Sequence, residues 1–337
     1  MISLLILALA AASAPPRPGE LKTFQDWTVG CDNGRACHAV ALVPEGWPDE
    51  AATMSVRRAP EADAPPVVGF EIGLDKGAMA LSADGVRLKA RLVESEGSVA
   101  VNSADARDVI AALRSASRLE LIGRDGKPLG AISLKGASAA LLYMDEKQHR
   151  AGTVTALARP GTRPAAVIPP PPPLPVVKAA RPGAGAPLLS KARLAALRKQ
   201  AGCTIDEVGG PDFHEQAAID STRSLLLLAC GSGAYNVSYV PFIVSRGAKG
   251  PTTAIARFDS TDPWWNENGR PVLINAGWDK ERGLLTSFAK GRGLGDCGEG
   301  REWAWDGARF RLVAQEEMGE CRGSVDYIST WRARVVR

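Results

Sequence analysis

Ten prolines fall within the 28 residues from Pro160 to Pro187, five of them consecutive from Pro169 to Pro173, and the rest is mostly Ala, Gly, Val and Arg. Proline lacks an amide hydrogen and fixes φ, so this stretch can carry neither a helix interior nor a central strand. It favours extended polyproline II at about 3.1 Å per residue and predicts a semi-rigid spacer over 159–189 that holds two folded units apart. A proline-helix ligand for an aromatic groove is the competing role. The 337 residues of the chain exceed one ordinary domain and leave a unit of ordinary size on each side, at 15–158 and 190–337. A hydrophobic share of 45% with 23% charged residues fits globular units and excludes both a disordered polymer and a multi-span membrane protein.

The formal charge of +4 divides into 17 basic and 19 acidic residues in 15–158, four and none in 159–190, and 20 and 18 in 191–337. Only the spacer carries excess positive charge, and no cluster marks a nucleic-acid surface. Ile2 to Ala12 is apolar or small, with Ser3 as its hydroxyl, and runs into Ala12-Ser13-Ala14. That pattern predicts a signal peptide over 1–14, cleaved after Ala14, and a chain that is periplasmic or secreted without a permanent membrane anchor. Cysteine usage agrees with an oxidising compartment. Cys31 and Cys37 precede the spacer, whereas Cys203, Cys230, Cys297 and Cys321 follow it. Six cysteines allow 15 connectivities, and forbidding bridges across the spacer leaves the 3 open to the last four. The favoured set is Cys31 with Cys37, Cys203 with Cys230, and Cys297 with Cys321. No CxxC pair occurs and His38, His149 and His214 are scattered, so neither a metal nor another cofactor is expected.

In the first unit, Asp32, Asn33 and Gly34 turn the chain between Cys31 and Cys37. Strand composition recurs at 67–74, 86–93, 119–122 and 129–134. Asp84-Gly85 and Arg124-Asp125-Gly126-Lys127 are hairpin signals. Between them Ser103 is positioned to cap a helix with Ala106, Val109, Ile110 and Leu113 at helical spacing. A solvated terminal turn is expected at 143–150, with a short helix ending near His149 as the alternative. The second unit opens with a helix capped by Ser190, stapled by Leu189 on Leu194, and ended by Gly202. Lys191, Arg193, Arg198 and Lys199 on it read as a solvated face rather than an anionic contact. Strands are expected at 224–229, 234–244 with Pro241 marking an edge, 254–258, 272–276, 284–289, 302–305, 309–313 and 331–335, and Asp306-Gly307 is a tight hairpin. The fold class is therefore mainly β with a few helices, a β-rich α+β chain of two antiparallel β domains joined by a proline-rich linker.

Phe24-x-x-Trp27-x-x-x-Cys31 with Cys37, followed later by Ser133-Leu134-x-Gly136 and Ala140-Leu141, resembles the invasion-associated locus B family of exported bacterial proteins over about the first 150 residues. The second half adds Gly293-Leu294-Gly295-Asp296-Cys297-Gly298, Trp303-x-Trp305-Asp306-Gly307-x-x-Phe310-x-Leu312, Cys321-Arg322-Gly323 and Trp331. With these the whole chain resembles a proteobacterial family of exported proteins catalogued as domain of unknown function number 1176. The resemblance implies an exported, disulfide-bonded protein without an assigned reaction, and the locus B name implies contact with host cells.

Trp303 and Trp305 alternate with Ala304 and share one face of a strand, which reads as core. Trp264 and Trp265 instead sit in a polar segment, 260–269, where large rings need a reason to be. Beside Asp262, Asn266, Glu267 and Asn268 their faces suit stacking on a sugar ring; folding back onto the sheet is the alternative. Arg292 and Arg322, each next to a glycine, are candidate contacts for an anionic group, with loop solvation as the alternative. No catalytic residues emerge. Gly231-Ser232-Gly233 lacks the spacing of a nucleophile elbow, and Ala218 stands where a zincin pattern begun by His214-Glu215 needs its second histidine. The leading expectation is an exported, disulfide-stabilised binding protein for an envelope or host macromolecule, glycan or protein, rather than an enzyme. A periplasmic hydrolase of envelope glycan or peptide is the alternative, marked by carboxylates facing each other across a cleft.

Overall fold

The computed structural model describes residues 14–47, 52–71, 78–95, 98–203, 213–259, 266–267 and 270–337. Residues 1–13 of the segment expected to be a signal peptide, with Asp262, Trp264 and Trp265, lie outside the described residues, and of Asn266 only the backbone is described. The chain is mainly β, with three α-helices among the described residues, as the strand-dense sequence predicts.

Before the spacer there are two antiparallel sheets. The larger has seven strands in the order Lys22–Phe24, Trp27–Cys31, Cys37–Ala41, Thr53–Arg58, Pro66–Glu71, Ser98–Val101 and Leu92–Ser95. The smaller has four, Pro128–Ser133, Arg118–Gly123, Ala78–Ala83 and Val86–Arg87. Helix α1 (Ala106–Leu113) buries Ala106, Val109, Ile110 and Leu113, the spacing read from sequence, but its N-cap is Asp105 rather than Ser103. Helix α2 (Ala137–Lys147) replaces the expected solvated turn and buries Leu141 and Met144. Its start carries no capping side chain; Gly136 stands there at φ 95. A β-carbon at Gly136 would lie 1.7 Å from the Phe24 carbonyl oxygen, so only glycine permits this approach. Trp27 is wholly buried beside it and donates from Nε1 to the Ser133 carbonyl at 3.0 Å.

After the spacer, helix α3 (Lys191–Ala201) is capped by the Ser190 hydroxyl and closed by Gly202 at φ 64. It packs Leu194 and Leu197 with Leu189 against Leu226, Leu228 and Val240. One sheet carries His214–Ala218, Arg223–Ser232, Val237–Ser245 and Thr252–Ile255, and the two-residue strand Leu273–Ile274 also pairs with Val237–Ser245. Pro241 therefore lies in a central strand, not at an edge. It is tolerated because it falls in a gap on that side, between Ser238–Tyr239, which pair with Leu273–Ile274, and Phe242, where pairing with Thr252–Ile255 begins. The second sheet is Gly277–Asp279, Leu284–Lys290, Gly298–Trp305, Phe310–Met318 and Ile328–Arg332. Trp303, Trp305 and Trp331 join Phe310, Leu312, Leu227 and Tyr239 in the core between these two sheets. The three disulfides are those favoured from sequence: Cys31–Cys37, Cys203–Cys230 and Cys297–Cys321. Among the described residues no helix is long and apolar enough to cross a membrane.

The spacer does not hold the halves apart. Its apolar residues between prolines find cover, with Ile168, Val177, Ala186 and Leu189 buried. Val176–Lys178 forms a parallel ladder with Arg334–Val336, and Pro175, which has no N–H to give, accepts from Arg334 through its carbonyl at 2.8 Å. The halves also touch directly. Val40 and Leu42 on the outer face of the large N-terminal sheet share an apolar cluster with Cys297, Met318 and Ile328. Arg322 pairs with Asp26, Arg332 with Asp32, and Asp326 with both His38 and Arg57. A proline segment can form no core of its own, but it can be laid along one that others form.

Candidate functional site

The second C-terminal sheet bears a cleft of about 320 Å³ on the face opposite its tryptophans, lined chiefly by Asn275, Thr286, Phe288, Glu302, Glu316 and Ser329. Alternation along Gly298–Trp305 sends Trp303 and Trp305 inward and leaves Gly300 and Glu302 on the other face. The next strand joins that face through a register shift. Leu312 pairs with Trp303, but beyond the bulge Ala314 pairs with Glu302 and Glu316 with Gly300. The extra residue turns Glu316 onto the side of Glu302, where the two are diagonal neighbours with α-carbons about 7–8 Å apart. Gly300 makes the room: a β-carbon there would meet Glu316 Cγ and Oε1 at 3.0 Å.

The two carboxylates have different surroundings. Asp279 Oδ1 accepts from the amides of Glu281 and Arg282 at 3.0 and 2.9 Å, which fixes a turn that aims Arg282 back at the sheet. Its guanidinium then clamps Glu302 with both ends, Nη1 to Oε1 at 2.6 Å and Nη2 to Oε2. The hydrogen bond to Glu302 raises the Arg282 pKa in turn. Among the described residues no cation pairs with Glu316. More than a third of it is open to the cleft, yet desolvation by the cleft walls, with the charges of Glu302 and Asp326, raises its pKa above the usual glutamate value. At the rim Phe288 packs on the Tyr327 ring with centroids 5.3 Å apart. Asn275 donates to the Phe288 carbonyl and accepts from the Val237 amide at 2.9 and 2.8 Å, tying the two C-terminal sheets together there.

Asp326 links this cleft to the contact between halves. It faces His38 at 3.3 Å and pairs with Arg57. Burial lowers the His38 pKa against the pull of Asp326. For Asp326 burial works against ionisation, but the hydrogen bond and charge of His38, with Arg57, outweigh it and lower the pKa.

The sequence candidates fall elsewhere. Arg322 donates to the carbonyls of Val43 and Gln25 at 2.9 Å each and to the Asp26 carboxylate, so its fork is engaged within the chain and joins the halves. Arg292 donates to both oxygens of Asp296, and Oδ2 also accepts the Gly323 amide at 2.7 Å. Arg292 thus ties the 293–298 motif to Gly323 through Asp296, whereas Arg322 ties the second half to the first. Asp262, Trp264 and Trp265 lie outside the described residues and no side chain is described for Asn266, so the aromatic-loop site is neither brought together nor dispersed. Sequence reasoning passed over Arg282, Thr286, Phe288, Glu302, Glu316 and Ser329 as a group. The hairpin at Asp306-Gly307 signals that these strands pair, but the bulge that sets Glu316 beside Glu302 carries no sequence mark.

The crystal structure of invasion associated protein B from Bartonella henselae superposes with a TM-score of 0.31 at 19% identity, covering 39% of this chain and 99% of that one. Uncharacterized protein YpfG of Escherichia coli strain K12 is 29% identical over 318 residues, which cover 87% of this chain and 86% of that protein. The model of the family described as protein of unknown function, DUF1176, matches residues 21–334, and the chain belongs to that family.

Proposed function

We propose that this is an exported binding protein whose ligand, a hydroxyl-rich segment of an envelope or host macromolecule, enters the cleft of the second C-terminal sheet. The observation that carries the reading is the convergence there of Thr286 and Ser329 hydroxyls, two carboxylates and the Phe288 ring around about 320 Å³. Such a lining offers acceptors and donors to hydroxyls and one flat face to a ring. Three disulfides support export, since they persist in oxidising compartments. The test is titration of full-length protein with soluble envelope-glycan fragments, comparing Glu316→Gln and Ser329→Ala. Binding by the wild type that each variant weakens about tenfold is expected. Equal binding by all three proteins, or none by the wild type, overturns the cleft as the binding site.

One observation favours hydrolysis as a second reading: Glu302 is clamped by a cation while the neighbouring Glu316 is disposed to hold a proton, the division of roles between base and acid in glycoside cleavage. New reducing ends released from the same fragments by the wild type but not by Glu316→Gln would establish it. Binding without release selects the first reading.

A further inference from the structure

A second cavity, far from the cleft in character, lies on the first half against the turn of the Cys31–Cys37 loop. It has about 170 Å³ and is lined by Arg17, Glu20, Asp32, Arg35, Tyr143 and Lys147 among others. Arg35 is the unusual member. It holds φ 64, a left-handed conformation that is strained for a non-glycine residue. Such strain persists only where the surroundings over-determine it. Here the Cys31–Cys37 bridge closes the loop. Asp32 accepts the amides of Gly34 and Ala36 at 2.8 and 2.9 Å through Oδ1, and its backbone carbonyl takes the Arg35 amide at 3.0 Å. Gln148 donates to the Arg35 carbonyl at 2.8 Å.

What this backbone presents is a guanidinium with an unmet need. Arg35 Nη1 is out of solvent and has no hydrogen-bond partner among the described residues. The acidic groups of the cavity do not answer it: Asp32 gives its other oxygen to Arg332, and Glu20 pairs with Lys22 at 3.1 Å. Lys147 stands over the Tyr143 ring with Nζ 5.3 Å from its centroid, so its charge also faces the cavity wall without a carboxylate. Arg17, Arg35 and Lys147 therefore line a space sized for one small group, where Asp32 is already paired with Arg332 and Glu20 with the exposed Lys22.

We propose that this pocket binds a compact oxyanion, a carboxylate or phosphate group, with Arg35 as the principal donor and Arg17 and Lys147 as supporting charges. An anion received there would meet Arg17, Arg35 and Lys147 together, on elements the fold already fixes, so little ordering is needed on binding. The inference is independent of the cleft, which shares no residue with this pocket.

The experiment is titration of the full-length protein with inorganic phosphate and, separately, acetate at low ionic strength, read by calorimetry and by melting temperature. Saturable binding of at least one anion, with a rise in melting temperature, is expected. Stronger response to phosphate or to acetate identifies which oxyanion the site takes. Arg35→Gly is the decisive variant, because glycine accepts φ 64 without strain: it should melt no lower than the wild type in anion-free buffer, yet bind about tenfold or more weakly. The double variant Arg17→Ala, Lys147→Ala should weaken binding less and flatten its dependence on salt. Absence of saturable binding of either anion by the wild type overturns the proposal. So does unchanged affinity in Arg35→Gly, while a lower melting point in that variant, without loss of binding, assigns Arg35 a structural role instead.

Discussion

Individual side chains divide in this protein by whether their polar atoms are answered. Trp303 and Trp305 are both almost fully buried, at 2% and 3% exposure, but only Trp305 has a partner for its indole N–H, Asp220 Oδ2 at 2.8 Å. Truncating either to alanine should cost about 3–5 kcal/mol by denaturant unfolding, as for large core aromatics. Replacement by phenylalanine should separate them. Trp305→Phe removes a donor from the buried Asp220 and should be the worse variant by about 1 kcal/mol or more, whereas Trp303→Phe forfeits no hydrogen bond. Both tryptophans were legible as core from their alternation alone. Glu316 was not, and its behaviour is opposite. Its pKa is raised on folding, so the native chain holds that proton more firmly than the unfolded chain, and stability falls as pH rises from the ordinary value of 4.5 toward the folded one. Glu316→Gln should therefore melt higher than the wild type at neutral pH and lose that advantage at about pH 4, measured by thermal scans at both. A carboxylate kept at a cost to stability is what a ligand cleft requires.

Among the elements, those with local chemistry at both ends read directly from sequence. Helix α3 has its Ser190 cap and Gly202 stop, and the hairpin at Asp306-Gly307 stands between the strands expected of it, while Asp84-Gly85 turns Val86–Arg87 back on Ala78–Ala83 rather than on the strand expected at 67–74. Helix α2 did not, because its start depends on Gly136 fitting against the Phe24 carbonyl, a contact across more than a hundred residues of chain. The Pro241 strand misled for a related reason: proline forbids one ladder bond, and whether a neighbour needs that bond is decided by where the other strands stop. The bulge at Leu312–Ala314 has the largest consequence, since an unbroken ladder would pair Glu316 with Glu299 and turn it to the tryptophan face. Among the cross-links, Cys203–Cys230 closes 27 residues and Cys31–Cys37 only 6. On the chain-entropy scale the longer loop contributes about 3–4 kcal/mol and the shorter less. Denaturant midpoints should accordingly fall further for Cys230→Ser than for Cys37→Ser.

For the molecule as a whole, the proline segment was legible as a divider of sheets but not as a strap. Among the described residues every strand ladder lies within 15–158 or within 159–337, yet apolar and charged contacts run between the two sets. Cleavage within 159–189 should consequently leave the pieces together in size-exclusion chromatography near neutral pH, held by Val40, Leu42, Met318 and Ile328 and by the three groups of ion pairs. Acid should release them. The His38 pKa lies below its ordinary 6.5, so the stability from keeping it neutral is full above that value and is lost as pH falls from it toward the folded pKa. The Asp326 pKa is likewise lowered, and its contribution is present above the ordinary 3.8 and lost as pH falls through the folded value. Both groups act in the same direction at one contact, where Arg57 also depends on the Asp326 charge. Nicked protein should thus elute as one species near pH 7.5 and as two after acidification to about pH 4. His38→Gln, which cannot take up the proton, should shift that separation to lower pH. Separation already at neutral pH would show that the interface between halves contributes little and that the strap alone keeps them joined.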